Sequence, residues 1–395
     1  MKKISVRPQH ERKIQEIQKA IDWNNLGFGQ FFSPHMLTVE YHNGKWHKPV
    51  IGALHNLSIH PAAVVLNYGQ AVFEGAKAFR WDDGSIHLFR PQENAKRLNE
   101  SAERLCIPAI PEETYLKGLE TLLDLDRDFV PDSKQTGEGS SMYVRPVMIG
   151  TTAGLGVKPA KEYLFYVILS PSGPYFAEGF KPVSIMVSVE YSRAAFGGSG
   201  RAKAIGNYAP TLLPLAEARE KDCSQVLFLE ARRKLNGDSY KKNRRVEECG
   251  AMNIYWVRNG VYQTPSLARS TILPGITRKT VLDLLQDKEV QREVNVRGAE
   301  EADITIENLI AGIQSGEITE MGGTGTAAVV AQIGRLYFKG EYVPIHGNTI
   351  GPVTKALHTL VADIQYGRRE EVYGWMREVP SVVPQNQLRQ QLVRK

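Results

Sequence analysis

The sequence predicts an α+β protein of two domains, and three observations carry that prediction. Its 395 residues exceed what one core usually takes, at roughly 150 residues per domain. The first half mixes short period-two runs with a helical repeat. Near the middle, the Pro/Gly-dense connector Pro171–Gly179 interrupts two strand-type runs, Tyr163–Ser170 and Val183–Glu190, as domain boundaries do. The expected division is a smaller α/β domain over 1–174 and a larger domain over 175–395, with the chemistry at their junction.

In chain order, Leu37–Tyr41 alternates as a strand, and Asn43-Gly44 supplies a hairpin turn into Trp46. Val64–Leu66 and Ala76–Phe79 read as further strands, and Ile86–Phe89 follows the turn Trp81–Gly84. Pro91 stands where a helix begins, and Ala95, Leu98, Ala102 and Leu105 recur at helical spacing. Pro131–Ser141 is polar and Gly/Ser-rich, the composition of a flexible loop. The second half reads as a helix over Leu212–Glu220, a strand over Val226–Leu229 and a strand–turn–strand around Arg258-Asn259-Gly260. A helix then follows Pro274-Gly275, and a Gly/Thr-rich loop spans Gly322–Thr326.

Composition excludes several classes. Hydrophobic residues make up 42% and charged residues 23%, an ordinary globular mix. Apolar stretches such as Leu164–Leu169 fall far short of the roughly 20 residues that span a bilayer. The first twenty residues carry both signs of charge and no apolar run, so no secretory leader is expected. Cys106, Cys223 and Cys249 form no CxxC pair, which argues against disulfides and zinc ribbons and fits a reducing cytoplasm. The nine histidines lack ligand spacing, so no protein-built metal site is expected.

Several residues carry possible chemistry. In Gly197–Pro210, glycines surround Lys203, and Tyr208 lies five residues on. A Schiff-base lysine must lose its proton, which a desolvated pocket favours; a glycine loop equally presents a solvated surface lysine. Leu273–Arg278 opens a helix whose free N–H groups at Ile276 and Thr277 would face an anion. Gly322–Ala327 would form a nest of N–H groups. Each also reads as a tight turn with an ordinary helix cap. Arg97, on the helix after Pro91, would add a fixed charge or lie solvated. Gly323–Ala328 matches a GxGxxA fingerprint, but about 70 residues follow, too few for two βαβαβ halves. Glu248 stands at the entry to a strand over Met252–Val257, where it would pair with a protonated ring nitrogen or lie exposed. Asn67–Gly75 and Met142–Pro146 mix aromatic and polar groups, as pocket walls and strand cores both do.

Together these segments closely resemble the branched-chain amino acid aminotransferases, fold-type-IV enzymes that use pyridoxal 5′-phosphate. The resemblance runs from about Leu37 to Trp375. Its markers are Asn67–Gly75, Leu88–Pro91, Tyr143–Pro146, Lys203 through Tyr208, Glu248 through Asn253, Leu273–Arg278 and Gly325–Ala327. The resemblance implies a two-domain α+β fold with the cofactor at the domain junction and its lysine on the C-terminal domain. It implies that Lys203 holds the cofactor as a Schiff base and moves the proton between Cα and C4′. It gives Glu248 the pyridine nitrogen and Tyr208 the ring 3-oxygen. The phosphate goes to Arg97, the N–H groups of Ile276 and Thr277, and Thr326. It places the substrate carboxylate on Tyr143 and on the backbone of Thr326 and Ala327. Tyr68, Phe73 and Arg145 shape the side-chain pocket, with Arg145 serving the γ-carboxylate of glutamate, at a homodimer interface. The implied reaction is reversible amino transfer from Leu, Ile or Val to 2-oxoglutarate.

This chain departs from the family pattern in three places. Ile205 stands where glycine is frequent, Ala328-Val329-Val330-Ala331 replaces the redox CxxC of some animal members, and Ala231–Arg245 looks longer than the usual connection. Two rivals are a D-amino acid aminotransferase or aminodeoxychorismate lyase, and a basic nucleic-acid-binding protein using Lys241–Arg245. The Tyr143–Pro146 and Gly206–Tyr208 motifs argue against the first. Charge placement argues against the second. The net charge is +6 and the pI near 9.0, but 231–245 holds seven Lys/Arg and one Asp, so the remaining residues balance at 42 against 42. That run is expected to be a solvated insertion, with neither nucleic acid nor membrane as partner.

Overall fold

The structure is a computed structural model that describes residues 4–174, 180–231 and 243–381. It divides into two compact units. The first comprises Met1–Ala177, Ala202–Ile205 and Asp363–Lys395; the second comprises Glu178–Arg201 and Gly206–Ala362. The expected division has one boundary, at 174/175, whereas the chain passes between the units four times, at 177/178, 201/202, 205/206 and 362/363. Lys203, expected on the C-terminal domain, packs with the first unit. Phe73 N–H donates to Lys203 O at 3.1 Å, and Val72 bridges Ala204, so backbone pairing holds the lysine segment on the first sheet.

Among the described residues, the first unit is built on a ten-stranded sheet. Its centre is the antiparallel pair Ser141–Gly150 and Tyr163–Ser172, in register from Ser141↔Ser172 to Gly150↔Tyr163. Successive side chains point to opposite faces, and the burial follows that rule. Met142, Val144 and Met148 pack with Leu98, Leu119 and Leu122 of the helices Pro91–Arg104 and Glu112–Leu125. Val147 and Ile149 join Ala71, Phe73, Tyr166 and Ile205 in a separate cluster. Tyr143 and Arg145 share their parity, which sends both away from the helices.

The expected helix after Pro91 is present, with proline in its first turn and Ala95, Leu98 and Ala102 buried. The expected hairpin is also present, with φ of 52° at Asn43 and 73° at Gly44. Val64–Leu66, expected as a strand, lies in the helix Val64–Tyr68. Three apolar residues do not distinguish the periods; Gly69, left-handed at φ 65°, ends the helix by donating to Val65 O. Within the polar stretch 131–141, Asp132 caps a single turn at Ser133–Thr136.

Among the described residues, the second unit is built on a nine-stranded sheet, running Val246–Cys249, Gln225–Leu229, Val183–Ser188, Val329–Phe338, Ile318–Gly325, Met252–Arg258, Val261–Thr264 and Gly298–Glu301, with Glu341–Pro344 beside Val329–Phe338. Val246–Cys249 also pairs with Met252–Arg258, which closes part of the sheet on itself. Gly322–Gly325, expected in a loop, is the end of a strand. Its glycines serve packing, because a Cβ on Gly322 would enter the Tyr255 ring and a Cβ on Gly323 would meet Met252 at 2.8 Å. The turn occupies Thr326–Ala328.

Candidate active site

In the first unit the site is assembled around Lys203. Its backbone N–H donates to Ser101 Oγ at 2.9 Å, and its Nζ lies 5.0 Å from the centre of the Phe73 ring. The residue is half-buried. Burial, then repulsion from Arg97, pushes its amine down to about 8, with Glu74 opposing the change. An ordinary lysine stays protonated until near 10.4, so this amine sheds its proton far more easily. It is not a solvated lysine on a mobile loop: Ser199 Oγ and Asn207 Oδ1 lie 2.6 Å apart and Asn207 Nδ2 donates to Ser199 O at 2.7 Å, which pins the glycine segment on the second unit.

Arg97 is buried and pairs with the carboxylate of Glu74, through Nε at 2.7 Å and Nη2 at 2.9 Å. Tyr143 and Arg145, two apart on one strand, face the same side. Arg145 Nη2 donates to the Tyr143 hydroxyl at 3.1 Å, and its guanidinium lies 4.9 Å from the Phe73 ring centre. Phe28 packs edge-on to Tyr143 at 4.8 Å. Arg145 Nε is buried with no acceptor among the described residues. Phe73, Tyr143, Arg145, Arg97 and Lys203 are thus brought together. Tyr68 is not part of this group: it is 42% exposed, and its hydroxyl donates to Leu155 O. Ile205 packs with Ala71, Val147 and Ile149 and fills space beside Gly69.

In the second unit the site is assembled around Glu248, which is 4% exposed. Its carboxylate pairs with Arg193 and accepts from Asn253 Nδ2 and from the N–H of Leu273, both at 3.1 Å. Asn253 also donates to Leu273 O at 2.8 Å and pairs with Thr324 on the neighbouring strand. One asparagine therefore ties the carboxylate to the start of the Ile276–Leu284 helix and to the strand that leads into Thr326 and Ala327. That helix is entered through Gly275, in extended conformation and without a side-chain cap. Its first N–H groups, at Ile276 and Thr277, have no partner within the helix and carry the positive end of its dipole. A Cβ at Gly275 would collide with Asn253 Oδ1, so the glycine permits this close approach. Tyr208 is half-buried, and its carbonyl accepts from Thr211 at 3.0 Å.

Sequence reasoning singled out neither Glu74, Ser101, Asn253 nor Arg193. Two signals were present. Glu74 lies inside Asn67–Gly75, and Asn94, Arg97 and Ser101 form a polar stripe at helical spacing beside the apolar one. For Arg193 the sequence carries no signal. Among the described residues no His, Cys, Asp or Glu group could hold a metal ion.

The sequence profile of the amino-transferase class IV family matches residues 71–335. The branched-chain-amino-acid transaminase 1 of Bacillus subtilis is 42% identical over 373 residues, 94% of this chain and 99% of that protein. The branched-chain-amino-acid aminotransferase 2 of the same organism is 41% identical over 362 residues, 91% of this chain and 94% of that protein. Among solved structures, the branched-chain amino acid aminotransferase of Escherichia coli superposes with a TM-score of 0.66 at 24% identity, covering 87% of this chain and 99% of that one. The T.th. branched-chain amino acid aminotransferase with pyridoxamine 5′-phosphate gives a TM-score of 0.66 at 23% identity, covering 87% and 98%. These structures share the α+β fold. With its profile match over most of the chain and its relatives above 40% identity along nearly their whole length, this chain belongs to the class IV aminotransferases, among the branched-chain-amino-acid aminotransferases.

Proposed function

We propose that this chain is a pyridoxal 5′-phosphate-dependent transaminase. It moves the amino group reversibly from L-leucine, L-isoleucine or L-valine to 2-oxoglutarate, giving branched-chain 2-oxo acids and L-glutamate. The observation that carries the reading is the Lys203 amine, which burial and Arg97 push down to about 8.

Each unit carries donors of the kinds the cofactor needs. Lys203 Nζ would hold the aldehyde carbon. The buried carboxylate of Glu248 would keep a proton on the pyridine nitrogen, and Tyr208 would bond the 3-oxygen. Ile276 N–H, Thr277 N–H, Thr326 and Arg97 would hold the phosphate, as uncapped helix starts do. Bound there, the group supplies an electron sink for the charge left at Cα of the substrate. Lys203 carries the proton to and from Cα, which requires an amine that gives up its proton near neutral pH. Tyr143 and the N–H groups at Thr326 and Ala327 hold the substrate α-carboxylate. Phe73 forms an apolar wall for an aliphatic side chain, and Tyr68 would add to such a wall in a second copy. Arg145, whose Nε is buried without an acceptor among the described residues, receives the γ-carboxylate of glutamate.

We read the active form as a cytoplasmic homodimer. Leu66, Tyr68, Leu155 and Val157 are exposed on the first unit, which supports Tyr68 completing a pocket with a second copy. No described helix is long and apolar enough to cross a membrane.

The test is amino transfer from L-leucine to 2-oxoglutarate, followed by borohydride reduction and peptide mass analysis. The parent should turn over and carry reduced cofactor on Lys203, while Lys203→Ala should lose at least about 10⁴-fold in kcat. Turnover of D-amino acids alone, or label on another lysine, would refute the reading.

A further inference from the structure

The helix Pro91–Arg104 carries two buried stripes. Ala95, Leu98 and Ala102 face the core, while Asn94, Arg97 and Ser101, at i, i+3 and i+7, are buried although polar. A buried polar stripe persists where each member has a partner, and these partners converge. Ser101 holds the backbone of Lys203. Asn94 and Arg97 both donate to Glu74, which is 0% exposed. Its carboxylate accepts from Arg97 Nε at 2.7 Å and Nη2 at 2.9 Å, from Asn94 Nδ2 at 2.7 Å and from the N–H of Gly75 at 3.1 Å. Phe73, the residue before Glu74, donates its N–H to Lys203 O, so Glu74 and Lys203 sit on adjoining backbones.

Arg97 alone would place a second cation beside the Lys203 amine at low dielectric, where charges interact strongly. Glu74 attracts the amine while Arg97 repels it. Within this unit Tyr143 and Arg145 also face the amine. Lys77 stands opposite Tyr143 on the next strand, and Tyr115 faces the Glu74–Arg97 pair from the helix Glu112–Leu125.

We propose that Glu74 is a positioning residue of the transaminase site. By a two-point ion pair it fixes the plane of Arg97, and by offsetting that charge it sets how readily Lys203 gives up its proton. The proposal rests on the reading that Lys203 is the reacting amine.

The experiment uses the full chain freed of cofactor. It measures, against pH, the rate at which pyridoxal with cyanoborohydride labels Lys203, identified by peptide mass. Pyridoxal lacks the phosphate, so direct bonds from Arg97 to that group do not enter. The midpoint reports the amine. Arg97→Gln should raise it by about one pH unit, because Glu74 then acts on the amine alone. Glu74→Gln should lower it by a similar amount, and the double variant should return close to the parent. A structural loosening would instead move every variant upward, toward a solvated amine. If Glu74→Gln does not fold, comparing Arg97→Gln with the double variant isolates the same charge; the neutral pair leaves no unpaired buried ion. A double variant that keeps the Arg97→Gln midpoint, or a Glu74→Gln midpoint above the parent's, overturns the role of Glu74 while leaving Lys203 in place. Parent label on another lysine removes the reading of Lys203, and this proposal with it.

Discussion

Gly75 leaves room for the Tyr143 hydroxyl. A Cβ there would overlap the hydroxyl, with the ring carbon that bears it at 3.0 Å, although Gly75 is not a positive-φ glycine. Gly75→Ala should therefore fold and displace Tyr143 from its bond with Arg145; KM for both substrates should rise about ten-fold with a smaller change in kcat, as loss of uniform binding does. A second residue-scale consequence comes from Lys77, which is 4% exposed and whose amine burial pushes down to about 8. The unfolded amine keeps its proton to about 10.4. Between these values the unfolded chain binds more protons, so this residue's contribution to stability rises with pH, and its cost is fully present below about 8. Lys77→Met should remove that slope. Urea midpoints of the cofactor-free parent and variant at pH 7.5 and 9.5 should differ more at the lower pH, with the variant the more stable there. An equal difference at both would show that the amine is not desolvated.

At the scale of elements, legibility followed length and punctuation. The helix after Pro91 was legible because a proline start and four apolar residues agree on one period. The Asn43-Gly44 hairpin was legible from its turn chemistry. Val64–Leu66 was too short to show a period, and the stop at Gly69 decided it. Gly322–Gly325 misled because glycine marks both turns and close packing, and only the neighbours Tyr255 and Met252 separate the two. The candidate site was legible as motifs, but the partners that those residues meet lie far off in sequence: Glu74 is 23 residues from Arg97, and Leu273 is 25 from Glu248. Such pairs have no periodicity to betray them. Glu320 is another. Buried at 2% exposure, it accepts from the N–H groups of Val353 and Thr354 at 2.9 and 2.8 Å and from the Thr354 hydroxyl at 2.8 Å. It thereby caps the Pro352–Gln365 helix from a strand. Glu320→Ala leaves those donors buried and unpaired, at a cost of about 3 kcal/mol, readable as a lower urea midpoint with an unchanged slope.

For the molecule as a whole, the net charge of +6 divides into two physically different parts. Residues 232–242 lie outside the described residues, but the end of the basic run does not, and it is not solvated as expected. Arg244 is 5% exposed. It donates to the carbonyls of Glu230 and Val189 at 2.8 Å and of Leu229 at 3.3 Å, and to Ser192 Oγ at 3.0 Å. Arg245 pairs with Glu230 at 3.4 Å and Asp303 at 3.5 Å. The strands Gln225–Leu229 and Val246–Cys249 run antiparallel, and Glu230 N–H donates to Arg245 O at 2.8 Å. The two ends of the insertion are therefore held side by side, and a short turn would close them. Replacing 232–242 with such a turn removes five Lys/Arg and one Asp and lowers the net charge to +2. If the run only solvates, kcat/KM for leucine should stay within about two-fold and the urea midpoint should hold, since the closure entropy of a loop changes slowly with its length. Arg244→Ala, which removes a single charge, should cost about 3 kcal/mol by stranding buried carbonyls. Were the shortened chain instead to lose ten-fold or more in kcat/KM with its stability intact, the insertion would belong to the reaction and the high pI would describe the enzyme's substrate-facing surface.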